Sequence, residues 1–239
     1  PLRIQKHRVE VQFAGLNRLV KDRPDISELD FNPVLLYPEG LAVCDARIFL
    51  EPPARPGEEK RTQEEIDLQK LLSPSSVAVI GASENLKKSG GRLFRYIVEN
   101  GFAGRLYPVN PTAETIRGYK SYPSVLDIPD EVDVACIIVH SSQVKSAVED
   151  CVRKRIPFGV VFSSGFSEIG EEGRQLQEEI AAIAEAGGMR FVGPNSIGVA
   201  SPCENIYMAF GSALESKMKY AGNIGFISQS GAIGSSLLS

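Results

Sequence analysis

From residue 75 onward, short and wholly apolar runs alternate with longer stretches whose apolar residues recur three or four positions apart. The runs are residues 77–80 (VAVI), 106–109, 134–139 (VACIIV), 159–162 and 189–192. A strand that is apolar on both faces is one that is covered on both faces, as in parallel sheets. Residues 91–100, 142–154 and 171–186 lie between the runs and have helical periodicity. This alternation predicts an α/β fold, a Rossmann-like parallel sheet with helices on both faces. A last run, residues 224–227, leads into Ser228-Gln229-Ser230-Gly231 and a further helix, so another strand–turn–helix unit opens there.

The first 70 residues follow a different pattern. Val9, Phe13, Leu16, Leu19 and Val20 recur at roughly helical spacing, and Pro24 ends that helix. Residues 28–32 predict a short strand. Residues 34–37 and 41–50 predict a hairpin turned at Pro38-Glu39-Gly40. Residues 51–61 carry three prolines, a glycine and several charges, a composition that reads as a linker. Thr62 with Glu65 resembles a capping box opening a short helix to Leu72. The expected organisation is a small α+β piece over 1–52, a linker over 53–70, the main sheet domain over 71–202, and the start of a further unit over 203–239.

Composition narrows the classes. The chain has 239 residues with 26 basic and 30 acidic side chains, a net charge of −4. No basic run dominates, which argues against a nucleic-acid surface. No apolar run approaches the roughly 20 residues that span a bilayer, so no membrane association is expected. Cys44, Cys136, Cys151 and Cys203 are scattered and form no CxxC pair, which reads as reduced thiols of a cytoplasmic protein. The chain starts at Pro1 and stops within a helical pattern at Ser239, so a longer parent protein is expected.

The first candidate chemistry is the turn after the opening strand. Residues 77–80 run into Gly81-Ala82-Ser83, and Gly90-Gly91 opens the next helix. Small residues, open backbone N–H groups and a helix N-terminus suit a phosphate. A dinucleotide fingerprint would require glycine at position 83 and an acid at the end of the second strand. Ser83 and Asn110-Pro111 stand there instead. The turn therefore reads as a site for a phosphorylated nucleotide other than NAD, with an NAD(P)-binding dehydrogenase domain as the competing class. Ser164-Gly165 and Ser230-Gly231 each follow an apolar run. Taken singly, each reads as ordinary serine capping of a helix.

The stretch LLSPSSVAVIGAS…GGRLFRYIVENGFAGRLYPVNP…VDVACIIV, continued by VVFSSGFSEIGEEG and FVGPNSIGV, resembles the CoA-binding domain of ADP-forming acyl-CoA (acetyl-CoA) synthetases. These are relatives of the succinyl-CoA synthetase α subunit. The resemblance covers residues 71–199 and implies a set of site residues. Gly81, Ala82 and Ser83, with Lys88 and Gly90, would hold CoA phosphates. Val109, Asn110 and Pro111 would lie against the nucleotide, and Val139, His140 and Ser141 would border it. Relatives often have proline where this chain has His140. Asn195, in the loop Gly193-Pro194-Asn195, would stand beside the thioester end. Ser164, Gly165, Ser230 and Gly231 match helix N-termini that stabilise a phosphohistidine. Neither His7 nor His140 occupies the place of that histidine, which is expected beyond Ser239, in a flavodoxin-type domain that 203–239 begins.

Residues 28–33 (ELDFNP) and 43–47 (VCDAR) look like the closing hairpin of an ATP-grasp domain. Asn32 and Asp45 match Mg²⁺ ligands there. Mg²⁺ takes oxygen donors, commonly one or two protein groups plus phosphate and water. Without the resemblance, a solvent-facing polar strand pair explains them equally well.

The implied function is an acid–thiol ligase forming acyl-CoA from an acid, CoA and ATP, with release of ADP and phosphate through acyl phosphate and phosphohistidine. ATP or ADP and Mg²⁺ are the implied cofactors beside CoA. The implied partners are a small-molecule acid, the remaining domains of the same enzyme, and a second copy in a homo-oligomer. A non-catalytic CoA-binding regulatory module, as in fusions with an acetyltransferase domain, is the alternative. The acyl group is not legible in these residues, and the fragment alone is expected to be inactive.

Overall fold

The computed structural model of the protein describes residues 15, 18–19, 21–31, 34–37, 40–50, 66–211, 214, 222 and 225–231. The chain divides into two compact units, Pro1–Ile66 and Asp67–Ser239.

In the first unit, β1 (Ile26–Phe31) pairs antiparallel with β4 (Ala46–Leu50), and β2 (Val34–Tyr37) pairs antiparallel with β3 (Gly40–Val43). The hairpin turns where the sequence predicts. Its second arm, expected as one strand over 41–50, is instead broken at Cys44-Asp45, and the two pieces join different partners. The first strand also begins two residues before the expected start, and Asn32 lies outside the described residues. Residues 15, 18, 19, 21 and 22 are helical, and Pro24 stands in the turn after them, as expected.

The second unit is built on a five-stranded sheet: β5 (Ser76–Ile80), β6 (Arg105–Val109), β9 (Val134–Ile137), β10 (Phe158–Val161) and β11 (Arg190–Val192). Each falls on an apolar run identified in the sequence. Its spatial order is β11-β10-β9-β5-β6, with every pair parallel. The chain goes from β5 outward to β6, then returns to the other side of β5. The switch point of the sheet therefore lies between β5 and β9, and ligands of such sheets bind outside the strand ends there.

Period-two alternation sends side chains to opposite faces. Ala78 and Ile80 of β5, with Ala135 and Ile137 of β9, join one apolar cluster. It is covered by Val144, Ala147, Val148 and Cys151 of α3 (Ser141–Arg153) and by Ile180 and Ala184 of α4 (Glu171–Ala186). Val77, Val79, Val134 and Cys136 join the other cluster. That face is covered by Leu71 of α1 (Gln69–Leu72) and by Leu93, Phe94 and Ile97 of α2 (Ser89–Glu99). Leu93, Phe94 and Ile97 have no exposed surface, and burying such a side chain is worth about 1.5–3 kcal/mol each.

Both faces are covered, as predicted, but helices alone do not cover the second. An antiparallel hairpin of β12 (Gly198–Ser201) and β13 (Ile206–Ala209) packs beside α2 and places Ile206 and Met208 in the second cluster. The hairpin carries the chain across position 202, where the sequence places a boundary. A smaller hairpin, β7 (Thr115–Ile116) and β8 (Tyr119–Lys120), follows β6. The described part of the last expected strand, residues 225–227, is not in a strand, and Phe226 and Ile227 are exposed. Residues 62–65 of the expected capping box lie outside the described residues. No helix among the described residues is long and apolar enough to cross a membrane.

Candidate functional site

The turn after β5 is built by close backbone approach. Gly81 has φ +91°, and a β-carbon there would stand 2.1 Å from the Ile138 carbonyl oxygen of the neighbouring chain segment. A β-carbon on Gly90 would stand 1.9 Å from the Gly81 carbonyl oxygen, so α2 begins directly against the turn. Gly91 is equally hemmed in, with the Asn85 carbonyl oxygen at 2.3 Å from its ideal β-carbon. Lys88 caps α2 with its carbonyl, which accepts the N–H groups of Gly91 and Arg92 at 3.1 Å. The Lys87 and Lys88 ammonium groups are exposed, and no carboxylate among the described residues pairs with either.

Asn110 ties the next loop to this turn. Its Nδ2 donates to the Ala82 carbonyl at 2.8 Å. Its Oδ1 accepts from Thr112 N–H at 3.0 Å and Ala113 N–H at 3.1 Å. An acid at position 110 would keep the second set of bonds and lose the first. The neutral residue at this strand end thus has a structural reason as well as an electrostatic one. Ser83 Oγ accepts from Asn85 N–H at 3.1 Å, and the Ser83 N–H makes no hydrogen bond among the described residues. The turn therefore combines an open backbone donor with nearby cations and no side-chain bulk at Gly81, the combination an anion needs.

On the other side of the switch point, β9 ends at Ile137 and the chain passes through Val139 to His140. His140 is the N-cap of α3: its Nδ1 lies 2.9 Å from Ser142 Oγ and accepts from Ser142 N–H at 3.4 Å. The residue that follows the apolar run 134–139 thus serves as a helix cap.

The loop after β10 joins the same edge. Ser163 is buried and donates from Oγ to the Val139 carbonyl at 2.6 Å. Ser163 also accepts at its carbonyl from Asn195 N–H at 2.9 Å, which brings in the loop of Gly193, Pro194 and Asn195. Gly165 lies against α3, with Ser141 Oγ 3.0 Å from its ideal β-carbon. Its N–H is engaged: Glu168 Oε1 accepts it at 2.6 Å, and Glu168 Oε2 accepts Phe166 N–H at 3.2 Å. Burial works against the Glu168 charge, but these N–H donors hold its carboxyl below the usual carboxylate range. Ser164 is exposed, and neither its hydroxyl nor its N–H is bonded among the described residues.

The edge thus brings together Gly81, Ala82, Ser83, Lys88, Gly90, Asn110, Val139, His140, Ser141, Ser164, Gly165 and Asn195. Val109 is buried at the end of β6, and Pro111 is exposed just beyond Asn110. Ser163 and Glu168 are additions. Glu168 had a usable signal, since it stands three residues after Gly165, the spacing at which a capping-box acid reaches back to a backbone N–H.

Ser230 and Gly231 follow a turn in which Ser228 Oγ accepts from Ser230 N–H at 3.0 Å. Ile197 Cγ2 lies 2.9 Å from the ideal β-carbon of Gly231. In the first unit, Asp45 is exposed, with Arg47 Nε at 4.0 Å. Phe31, which precedes Asn32, is paired in register with Ala46, which follows Asp45. The exposed Asp45 carboxylate is the kind of oxygen donor a hard cation takes, with phosphate and water supplying further ligands. Among the described residues there is no group of three or more His, Cys, Asp or Glu able to hold a metal.

Comparison with known proteins follows this geometry. The family model of the CoA binding domain matches residues 75–202. ADP-forming acetate–CoA ligase II of Archaeoglobus fulgidus is 44% identical over 217 residues, covering 90% of this chain and 31% of that protein. The α subunit of ADP-forming acetate–CoA ligase II of Pyrococcus furiosus is 39% identical over 171 residues, covering 72% of this chain and 36% of that one. A solved structure of acetyl-coenzyme A synthetase 1 from Candidatus Korarchaeum cryptofilum, in complex with phosphate and ADP, superposes with a TM-score of 0.67. It shares 42% identity and covers 72% of this chain and 36% of that one. The chain spans about a third of the length of the curated relatives it matches.

Proposed function

The chain belongs to the CoA-binding domain family, and from that premise we propose that it provides the coenzyme A site of an ADP-forming acyl-CoA ligase. The observation that carries the proposal is the edge between β5 and β9. Gly81 and Gly90 meet backbone to backbone there, Asn110 fixes the turn, and an N–H donor and two lysines remain unpaired. A phosphorylated nucleotide would lie with its phosphates on the Gly81–Ser83 turn and near Lys88, and with its nucleoside near Val109, Asn110 and Pro111. Val139, His140 and Ser141 would border it, and Asn195 would stand toward its thiol end.

In the whole protein the reaction would join a carboxylic acid to CoA with ATP, releasing ADP and phosphate by way of acyl phosphate and phosphohistidine. Phosphoryl transfer is catalysed mainly by positioning and charge stabilisation. In this chain those tasks fall to the free hydroxyl and N–H of Ser164 and to Ser230 and Gly231. The Gly165 N–H becomes available only if Glu168 releases it. His140 is occupied as a helix cap and is not assigned as a phosphoryl carrier. Asn32 and Asp45 would hold the Mg²⁺ that accompanies the nucleotide phosphates. The remaining domains of the ligase are its proposed partners, the cytoplasm its proposed compartment, and a homo-oligomer its proposed state.

Titration calorimetry of the chain with CoA and with NADH tests the central claim. CoA should bind, and NADH should not. Binding of NADH without CoA would overturn it. In the full-length protein, acid-dependent release of ADP from ATP and CoA separates the ligase from a regulatory module, which would bind CoA without turnover.

A further inference from the structure

Arg92 stands in the first turn of α2, directly after the two glycines that pack on the turn. Its side chain bends back toward the helix N-terminus, where Nη2 lies 3.4 Å from Ser89 Oγ. Its guanidinium carbon is 5.7 Å from the centroid of the Phe210 ring. Phe210 is itself held in place: its ring meets Phe162 edge to face at 5.2 Å and 82°, and its N–H donates to the Ile197 carbonyl at 2.7 Å. Phe162 immediately follows β10 and donates its N–H to the Ile137 carbonyl at 3.0 Å, at the end of β9. The platform under Arg92 therefore belongs to the same sheet edge as the Gly81 turn and the Ser163 loop.

Arg92 also lacks what other arginines of the chain have. Among the described residues, Arg92 and Arg155 have no carboxylate within 4.0 Å, whereas Arg95, Arg105, Arg117 and Arg174 are paired. Arg155 lies in the turn leading into β10, at the opposite end of the sheet. A guanidinium resting on an aromatic face keeps its charge and is held in orientation. Apart from the long Nη2 bond to Ser89 Oγ, the in-plane N–H groups of the Arg92 guanidinium are unbonded among the described residues, and their fork matches two phosphate oxygens.

We propose that Arg92, seated on Phe210, is a phosphate-gripping residue of this site and contacts a phosphate of coenzyme A. The assignment rests on the reading of the Gly81 turn as the CoA site. The chemistry fits either the diphosphate or the 3′-phosphate.

The test is calorimetry on the chain and its Arg92→Gln, Arg92→Lys and Phe210→Leu variants, with CoA and dephospho-CoA, alongside thermal melts. Arg92→Gln should weaken CoA binding about tenfold or more, the scale of a lost charge-assisted bond, with little change in melting temperature. Arg92→Lys should fall between wild type and Gln, because it restores the charge without the fork. Phe210→Leu should weaken binding less than Arg92→Gln. If the Arg92→Gln loss persists with dephospho-CoA, the contact is the diphosphate; if it vanishes, the 3′-phosphate is the contact. Wild-type affinity in Arg92→Gln would overturn the proposal while leaving the CoA reading intact. Equal losses in Gln and Lys, matched by equal drops in melting temperature, would mark a purely structural residue and also overturn it. A wild-type chain that binds no CoA would instead sink the reading on which it rests.

Discussion

Gly90 faces Gly81 so closely that a β-carbon on Gly90 would stand 1.9 Å from the Gly81 carbonyl oxygen. Alanine at position 90 would raise helix propensity by about 1 kcal/mol. It would also force α2 off the turn, because the obstacle is backbone and cannot rotate away. Overpacking of this kind costs about 1–3 kcal/mol, occasionally more. Gly90→Ala is therefore expected to lower the melting temperature and to weaken CoA binding. Calorimetry and a thermal melt on the same sample check both.

Asn110→Asp isolates one bond. The carboxylate keeps the acceptor that serves Thr112 and Ala113 but has no donor for the Ala82 carbonyl at 2.8 Å. It also sets a negative charge beside the proposed phosphate turn. CoA affinity should fall by about tenfold, the sum of a lost hydrogen bond and a like-charge penalty. The loss should shrink at high salt, where charge is screened. A loss that does not depend on salt would mean that the Ala82 bond alone accounts for it.

Glu168 gives a pH signature. Its carboxyl is held below the ordinary value of 4.5 by the N–H groups of Gly165, of Glu168 itself and of Phe166, against an opposing effect of burial. A carboxyl whose folded pKa is depressed stabilises the fold above its unfolded pKa. That stability is lost as pH falls from about 4.5 through the folded value. Glu168→Gln should therefore melt a few degrees lower than wild type at neutral pH. The gap should close on acidification below the ordinary carboxyl range. A gap that is constant with pH would show that shape, not charge, holds the Ser163–Phe166 loop.

The strands of the main sheet are legible because each is apolar on both faces, a pattern that helices and loops of this size do not share. Residues 171–186 predict α4 to the residue, since Gly170 and Gly187 bound a clean helical period. The hairpin of β12 and β13 is not legible in the same way. Its inner residues Ile206 and Met208 face the sheet, while Tyr207 and Ala209 are buried in a separate cluster, so four buried residues show no alternation. The break at Cys44-Asp45 is hidden for a similar reason: the run from Leu41 to Leu50 has strand composition throughout, and only partner choice divides it. The site residues that could be read are those whose backbone must approach something, such as Gly81 and Gly90. Ser163 and Glu168 act through hydrogen bonds to loops distant in sequence or to their own turn, and Arg92 acts through an aromatic platform more than 100 residues away in the chain. Composition does not encode such partners.

The four cysteines should divide into two pairs by reactivity. Cys136 lies in the central strand β9 with no exposed surface, and burial pushes its thiol well above the ordinary range. Cys151 is equally covered on the inner face of α3. Burial, helped by the neighbouring Asp150 charge, pushes its thiol up to about 12. Thiolate is the reactive form, so neither should react in the folded chain at neutral pH. Cys44 and Cys203 are exposed. A thiol-specific chromogenic reagent should therefore titrate two groups rapidly in the native protein and all four in denaturant. The slow pair should react only as fast as the sheet unit opens, so a stabilising ligand of this unit should slow that phase in proportion to its occupancy. Coenzyme A itself carries a thiol, so a thioether analogue such as S-methyl-CoA, which neither reacts with the reagent nor exchanges with cysteines, is the ligand to use. Rapid labelling of Cys136 in the folded chain would contradict the burial that defines the sheet's second face.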